Sequence, residues 1–251
     1  MEYPRKPGSL FVRPYSAMKT NQEQYNTLVE KRKACRLCVG LSNPAEPALR
    51  RFDSDQIGPW SRLHGDLDAE LMIVGQDWGG VKYYKDNRGL DKLNNPTMCN
   101  LEKLLHHIGI HLSVTTYADN ARGLFLTNAI LCLKEGGLQA KIEPDWVINC
   151  GSNFLRRQIE IVRPKVVVGL GAFAFHAVLR AFGHPITELR DAIKDKQGCE
   201  ILDGVRLFAA YHCGKGTVNR NRDLEQQSKD WERIQPFLRP AATGTQGRTK
   251  R

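Results

Sequence analysis

The chain has 251 residues, 41% hydrophobic and 25% charged, the make-up of an ordinary globular protein with material for a full core. No apolar run reaches the roughly 18 residues needed to span a bilayer, and the N-terminal stretch lacks the apolar core of a secretory signal. A cytoplasmic protein with no membrane partner is therefore expected, nucleoid-associated if the source is bacterial. The formal charge of +10 sits mostly at the ends: residues 1–34 carry a net +4 and the tail 238–251 another +4, leaving +2 for the body. Basic ends are weak evidence for nucleic acid, because they serve equally well as solubilising arms.

In chain order, residues 1–18 read as a mobile basic arm and 39–66 as an irregular loop rich in Pro, Gly and Asp. Four short apolar runs follow as buried strands: Leu71–Gly75, Leu124–Ile130, Val166–Gly171 and Val205–His212. They are continuous rather than alternating, as strands covered on both faces are. Helical patterns lie between them. The first places Leu101, Leu104, Leu105 and Ile108 on one face. The second opens at Glu143-Pro144, passes through Trp146, Cys150, Phe154 and Ile159, and stops at Arg163-Pro164. The third spans about Ala172–Phe182 and the fourth about Arg222–Leu238. Strands alternating with helices predict an α/β fold with a small central parallel four-stranded sheet flanked by helices. One domain over 19–239 is expected, monomeric, with a second basic tail at 240–251.

In such sheets ligands bind outside the carboxyl ends of the strands. Asp77, Asn128 and His212 emerge there, each from a separate strand. Any one of them has a bland alternative: a capped turn, a satisfied loop, a bonded core histidine. Their joint arrival makes a polar site. Seven cysteines in a cytosolic chain argue against a disulfide framework. Cys35-x2-Cys38 can place two thiolates on one centre. Cys132 and Cys150, with seventeen residues between them, complete a four-thiolate set suited to zinc or to a four-iron cluster.

These segments together resemble the uracil-DNA glycosylase superfamily, closest to its iron–sulfur family 4 branch. "VGQDWGG" is similar to the first active-site motif, with the Gly-Gln-Asp opening of family 1. "LTNAILC" resembles the segment in which a base-reading Asn precedes a cluster cysteine. "VVVGLGAFAFHAVL" is similar to the third strand and helix, and "AAYHCGKGTVNRNR" stands in the place of the His-Pro-Ser motif. The ordered set covers about residues 31–236. Gly79 stands where family 1 has a tyrosine that excludes the thymine methyl, and Cys213-Gly214 replaces Pro-Ser.

The resemblance implies a DNA repair enzyme that hydrolyses the N-glycosidic bond of uracil and leaves an abasic site. Its partner is DNA containing uracil or abasic sites. Asp77 takes the anionic, water-orienting role and His212 donates to the uracil O2. Asn128 reads the base edge, with Gln76, Trp78 and Gly79 in the substrate-binding first motif. Lys215, Arg220 and Arg222 are candidates for phosphates, and Val218 for an apolar wedge. Cys35, Cys38, Cys132 and Cys150 become ligands of a 4Fe-4S cluster, with zinc the alternative. No lysine stands out as a Schiff-base nucleophile, so a monofunctional enzyme is expected. The competing readings are a uracil- or abasic-DNA binder with little turnover and a small-molecule nucleoside hydrolase.

Overall fold

The computed structural model describes residues 19–58, 66–92, 94–111, 123–136, 140–220 and 222–238. The expected basic arms at 1–18 and 240–251 lie outside them. The chain opens with α1 (Asn21–Ala34) and β1 (Leu41–Ser42). The first core strand, β2 (Leu71–Asp77), leads to α2 (Val81–Asp86) and α3 (Pro96–His107). Then come β3 (Leu124–Ile130) and β4 (Leu133–Lys134). Helices α4 (Pro144–Cys150) and α5 (Arg156–Val162) are joined by a π-helical turn at Gly151–Leu155. Next follow β5 (Val166–Leu170), α6 (Gly171–Ala181), α7 (Leu189–Ala192), β6 (Cys199–Leu202) and β7 (Val205–Ala210). Helices α8 (Lys215–Arg220) and α9 (Leu224–Glu232) close the described chain. No helix among the described residues is long and apolar enough to cross a membrane.

All four expected strands form, and they pair in parallel in the order β3-β2-β5-β7. A fifth strand, β6, is added antiparallel at the far edge. Its hairpin turns at Asp203-Gly204, where Gly204 has φ +73°, a two-residue signal of the kind that favours tight hairpins. Alternation splits the apolar side chains between two layers. Met72, Val74, Phe125, Val167 and Leu207 pack with α1, α4, α5 and α6. Leu71, Ile73, Leu124, Leu126, Val168 and Phe208 pack with α3 and α9.

The short helices α2, α7 and α8 were not read in the sequence, and three longer elements also differ from the pattern. Helix α1 was not anticipated, although Thr20 and Glu23 form a reciprocal capping box at its start. The helix expected over 222–238 is shorter. An Asp223–Gln226 capping box starts α9, and a short 3-10 turn holding Pro236 follows it. The long second helix does end at Arg163, in the left-handed region with φ 48°, just before Pro164. It is interrupted immediately after Cys150, and single π turns of this kind occur often at functional sites.

The sheet order fixes where a ligand can sit. From β2 the chain moves to β3 on one side, then crosses to β5 on the other. The strand order therefore reverses at β2, and the crevice outside its carboxyl end is the expected site. Helix α6 folds back at once onto β5. A Cβ on Gly169 would meet the Phe175 backbone at 2.5 Å from Cα and 2.7 Å from N. Gly169→Ala is expected to destabilise the fold by about 2–3 kcal/mol through overpacking, read as a lower denaturation midpoint; an unchanged midpoint would mean the helix can shift at no cost.

Candidate active site and four-cysteine centre

Strand β2 ends by carrying Asp77 to the switch point. The Asp77 side chain is only 5% exposed, and Lys134, 3% exposed, lies against it with Nζ 3.1 Å from Oδ2. Gln76 Nε2 donates to the same oxygen at 2.8 Å. Among the described residues no hydrogen bond falls on Oδ1, which leaves that oxygen for water or substrate. A buried carboxylate without its cation is costly, and removing one partner of such a pair typically costs about 3–5 kcal/mol. Lys134 is held in place by backbone. Strand β4 pairs antiparallel with β1, the Lys134 N–H donates to the Gly79 carbonyl at 3.2 Å, and Gly80 bridges to Lys134. Gly79 has φ +117°, so a tyrosine at this position would be strained.

Asn128 lies opposite Gly75 in the β2–β3 register. By alternation it shares a sheet face with Leu124 and Leu126, as Asp77 does with Leu71 and Ile73. Asn128 is 3% exposed, and its Oδ1 has no hydrogen-bond partner. An orphaned buried carbonyl oxygen costs about 1–3 kcal/mol. A ligand donor would relieve that cost.

His212 follows β7. Its Nδ1 accepts the Gly214 N–H at 3.1 Å, so the neutral ring carries its proton on Nε2 and presents a donor there. Burial pushes its pKa below 6.5, against a smaller upward pull from the Asp77 charge. Asp77 and His212 thus act on each other across the rim. Gly214 has no room for a side chain: a Cβ would sit 2.8 Å from His212 Cε1 and 3.2 Å from Thr97 Oγ1. The loop is pinned to α3 by Asn100 Nδ2, which donates to the Cys213 carbonyl at 2.8 Å. Cys213 is fully buried. The Cys-Gly that replaces Pro-Ser therefore packs the loop and spares the imidazole.

The remaining candidates separate. Lys215 and Arg220 are exposed on α8, just past His212. Arg222 does not join them as a free phosphate ligand. Both Asp230 oxygens hold its guanidinium, at 2.5 and 2.7 Å, and it lies over the Tyr211 ring. Trp78 is packed in the core with Leu49, Tyr84 and Leu133, and Gln76 spends its amide on Asp77. The sequence reading missed Lys134. "CLKEGG" looks like a solvated turn, and nothing local marks its lysine as buried.

Cys35, Cys38, Cys132 and Cys150 line one cavity of about 60 Å³, together with Arg32, Arg36 and Asn149. All four are free thiols. Burial and then the neighbouring cysteines push the Cys132 thiol well up, and burial raises Cys150 to about 12. Asn149 Nδ2 points at Cys38 Sγ at 3.5 Å. Arg32, 1% exposed, is fixed by Asp53 at 2.8 Å and partly offsets the charge on Cys132. Asn43 Nδ2 ties the Cys35 carbonyl to that of Arg32. The thiols surround a space: among the described residues, no group of three or more His, Cys, Asp and Glu closes to the spacing of a single bound metal ion.

The His212 geometry makes a prediction. Its ring should titrate below pH 6.5 in an NMR titration, with the Nε2–H tautomer dominant at pH 7. Because the folded pKa is the depressed one, the neutral ring's contribution to stability is present above about pH 6.5 and lost as pH falls through the lowered value. Gly214→Ala should displace the ring and bring its titration closer to 6.5. A ring titrating above 6.5 in the wild type would contradict the buried placement.

Comparison with known proteins agrees with this architecture. The sequence model of the uracil DNA glycosylase superfamily matches residues 63–235. A type-5 uracil-DNA glycosylase of Pyrobaculum aerophilum is 28% identical over 212 residues, covering 79% of this chain and 86% of the relative. The superfamily match spans β2 through α9, every strand of the main sheet, and so this chain belongs to the uracil-DNA glycosylase superfamily.

Proposed function

We propose that the protein is a monofunctional uracil-DNA glycosylase. What supports this reading is that Asp77, Asn128 and His212 stand at or near the carboxyl ends of parallel strands of one sheet, with the Gly214 N–H on His212 Nδ1 leaving Nε2 as the ring's donor. Hydrolysis of the N-glycosidic bond builds positive charge on the sugar and negative charge on the departing uracil. The base must first leave the stack and be read at its edge. The Asn128 amide suits that task, since it can meet both N3–H and O4 of uracil; cytosine presents the opposite pair. His212 Nε2–H is the donor for O2 as its charge grows. A preformed donor of this kind is worth about 10²–10³ in rate. Asp77 Oδ1 faces the sugar side, where a carboxylate stabilises the cation and orients water. Gln76 steadies Asp77, while Trp78 and Gly79 shape the motif from behind. Lys215 and Arg220 are the phosphate contacts; Arg222 braces α9.

A monofunctional reaction is the reading the Lys134 contact favours: its Nζ is engaged by Asp77 Oδ2 at 3.1 Å rather than offered to the abasic sugar. For the cysteine centre, four free thiols around a cavity, Cys150 buried and the other three half-buried, fit a 4Fe-4S cluster better than a single zinc ion. Thiols with raised pKa values stay protonated unless a cation compensates them. Such a cluster would brace the surface that faces DNA, since base excision needs no electron transfer.

Incubating the protein with a duplex bearing one uracil, then alkali, should cut the strand at that position. Asp77→Asn should slow excision by about 10²–10⁴-fold with the fold intact, and borohydride should trap no protein–DNA adduct. A wild type that is folded and makes no abasic sites would refute the proposal. Purified protein should be brown and carry iron and sulfide, and Cys132→Ser should bleach it. Colourless protein holding zinc would overturn the cluster.

A further inference from the structure

Among the described residues, the cation against the candidate catalytic carboxylate comes from outside the active-site motifs. Lys134 and Asp77 are 97% and 95% buried side chains with Nζ and Oδ2 3.1 Å apart. Burying two charges is expensive, and a packed apolar pair at such a place is often at least as stable. Stability alone is therefore a poor reason for the pair. The geometry offers a better one: Lys134 and Gln76 both grip Oδ2, which fixes the carboxylate torsion and turns Oδ1 away from them.

The mounting of Lys134 is equally specific. Strand β4 begins directly after Cys132, and its partner β1 begins three residues after Cys38. The two cysteines thus flank the ribbon at its opposite ends, Cys132 beside the Leu133–Ser42 pair and Cys38 leading into the Leu41–Lys134 pair. The Lys134 end is also fastened to the first motif through the Gly79 carbonyl and the Gly80 bridge. A short two-stranded ribbon is marginal by itself, so its position depends on these attachments.

We infer that Lys134 is a positioning residue for Asp77, delivered by a ribbon flanked by cysteines of the four-cysteine centre. It touches neither base nor sugar. It sets the angle of the carboxylate, and it ties the cysteine centre mechanically to the reacting bond. This inference rests on the proposed uracil excision.

Three variants test it on full-length protein loaded with its centre. Lys134→Met should lower single-turnover excision about 100-fold, the scale expected for a misplaced catalytic group. DNA affinity and the visible absorbance should stay unchanged. Lys134→Arg, which keeps the cation, should recover at least a tenth of the wild-type rate. Asp77→Asn combined with Lys134→Met should be no slower than Asp77→Asn alone. Its melting temperature should exceed that of Lys134→Met, because neither charge is then left unpaired. With an active wild type, full activity in Lys134→Met would overturn the inference and leave the function standing. So would a further loss in the double variant. A wild type without excision would sink the functional reading and this inference together.

Discussion

A carboxylate buried at the end of a core strand is costly unless a cation stays against it, and that constraint organises this molecule. Asp77 is carried by β2, the strand at which the sheet reverses its order. Among the described residues, no neighbouring element of the main sheet provides the compensating charge. It comes from Lys134 on a separate ribbon, which must cross to the first motif and be held there by backbone hydrogen bonds. Loop, ribbon and sheet therefore have to be correct together.

The same dependence gives the cysteine centre a place in the account. Its four thiols come from the end of α1, the loop after it, the turn into β4 and the end of α4. Those are the segments that support the ribbon. Arg32, buried beneath them and held by Asp53, ties α1 to the irregular stretch before β2. The interruption of the long helix immediately after Cys150 lets that helix carry a thiol and still pack Phe154 and Ile159 into the core. The opposite side of the site is built from ordinary packing: α3 grips the loop after β7 through Asn100 and leaves His212 a fixed tautomer.

Much of this was legible in the chain. Doubly covered strands announce themselves as continuous apolar runs, so β2, β3, β5 and β7 could be read directly, and with them the rim that holds Asp77, Asn128 and His212. The face of α3 followed from Leu101, Leu104 and Leu105, all now buried. What escaped depends on long-range contact. Helix α1 buries Tyr25, Leu28 and Val29 amid charged residues, so its pattern is faint and only its capping box marks it. Strand β6 is four residues long and contains a glutamate. Lys134 becomes a buried residue only once β1 pairs with β4, and Arg222 is drawn from DNA-facing candidate to brace by Asp230, eight residues on. Local spacing carries none of that information.

The central claim is that one extruded uracil meets three side chains at the carboxyl end of the sheet. A crystal structure with a duplex containing 2′-fluoro-2′-deoxyuridine tests it most directly, because the fluorine disfavours the cationic sugar and holds the bond intact. The account predicts Asn128 at the N3–O4 edge, His212 Nε2 within hydrogen-bond distance of O2, and Asp77 Oδ1 toward C1′. A base bound elsewhere, or stacked in the duplex with these three groups untouched, would contradict it.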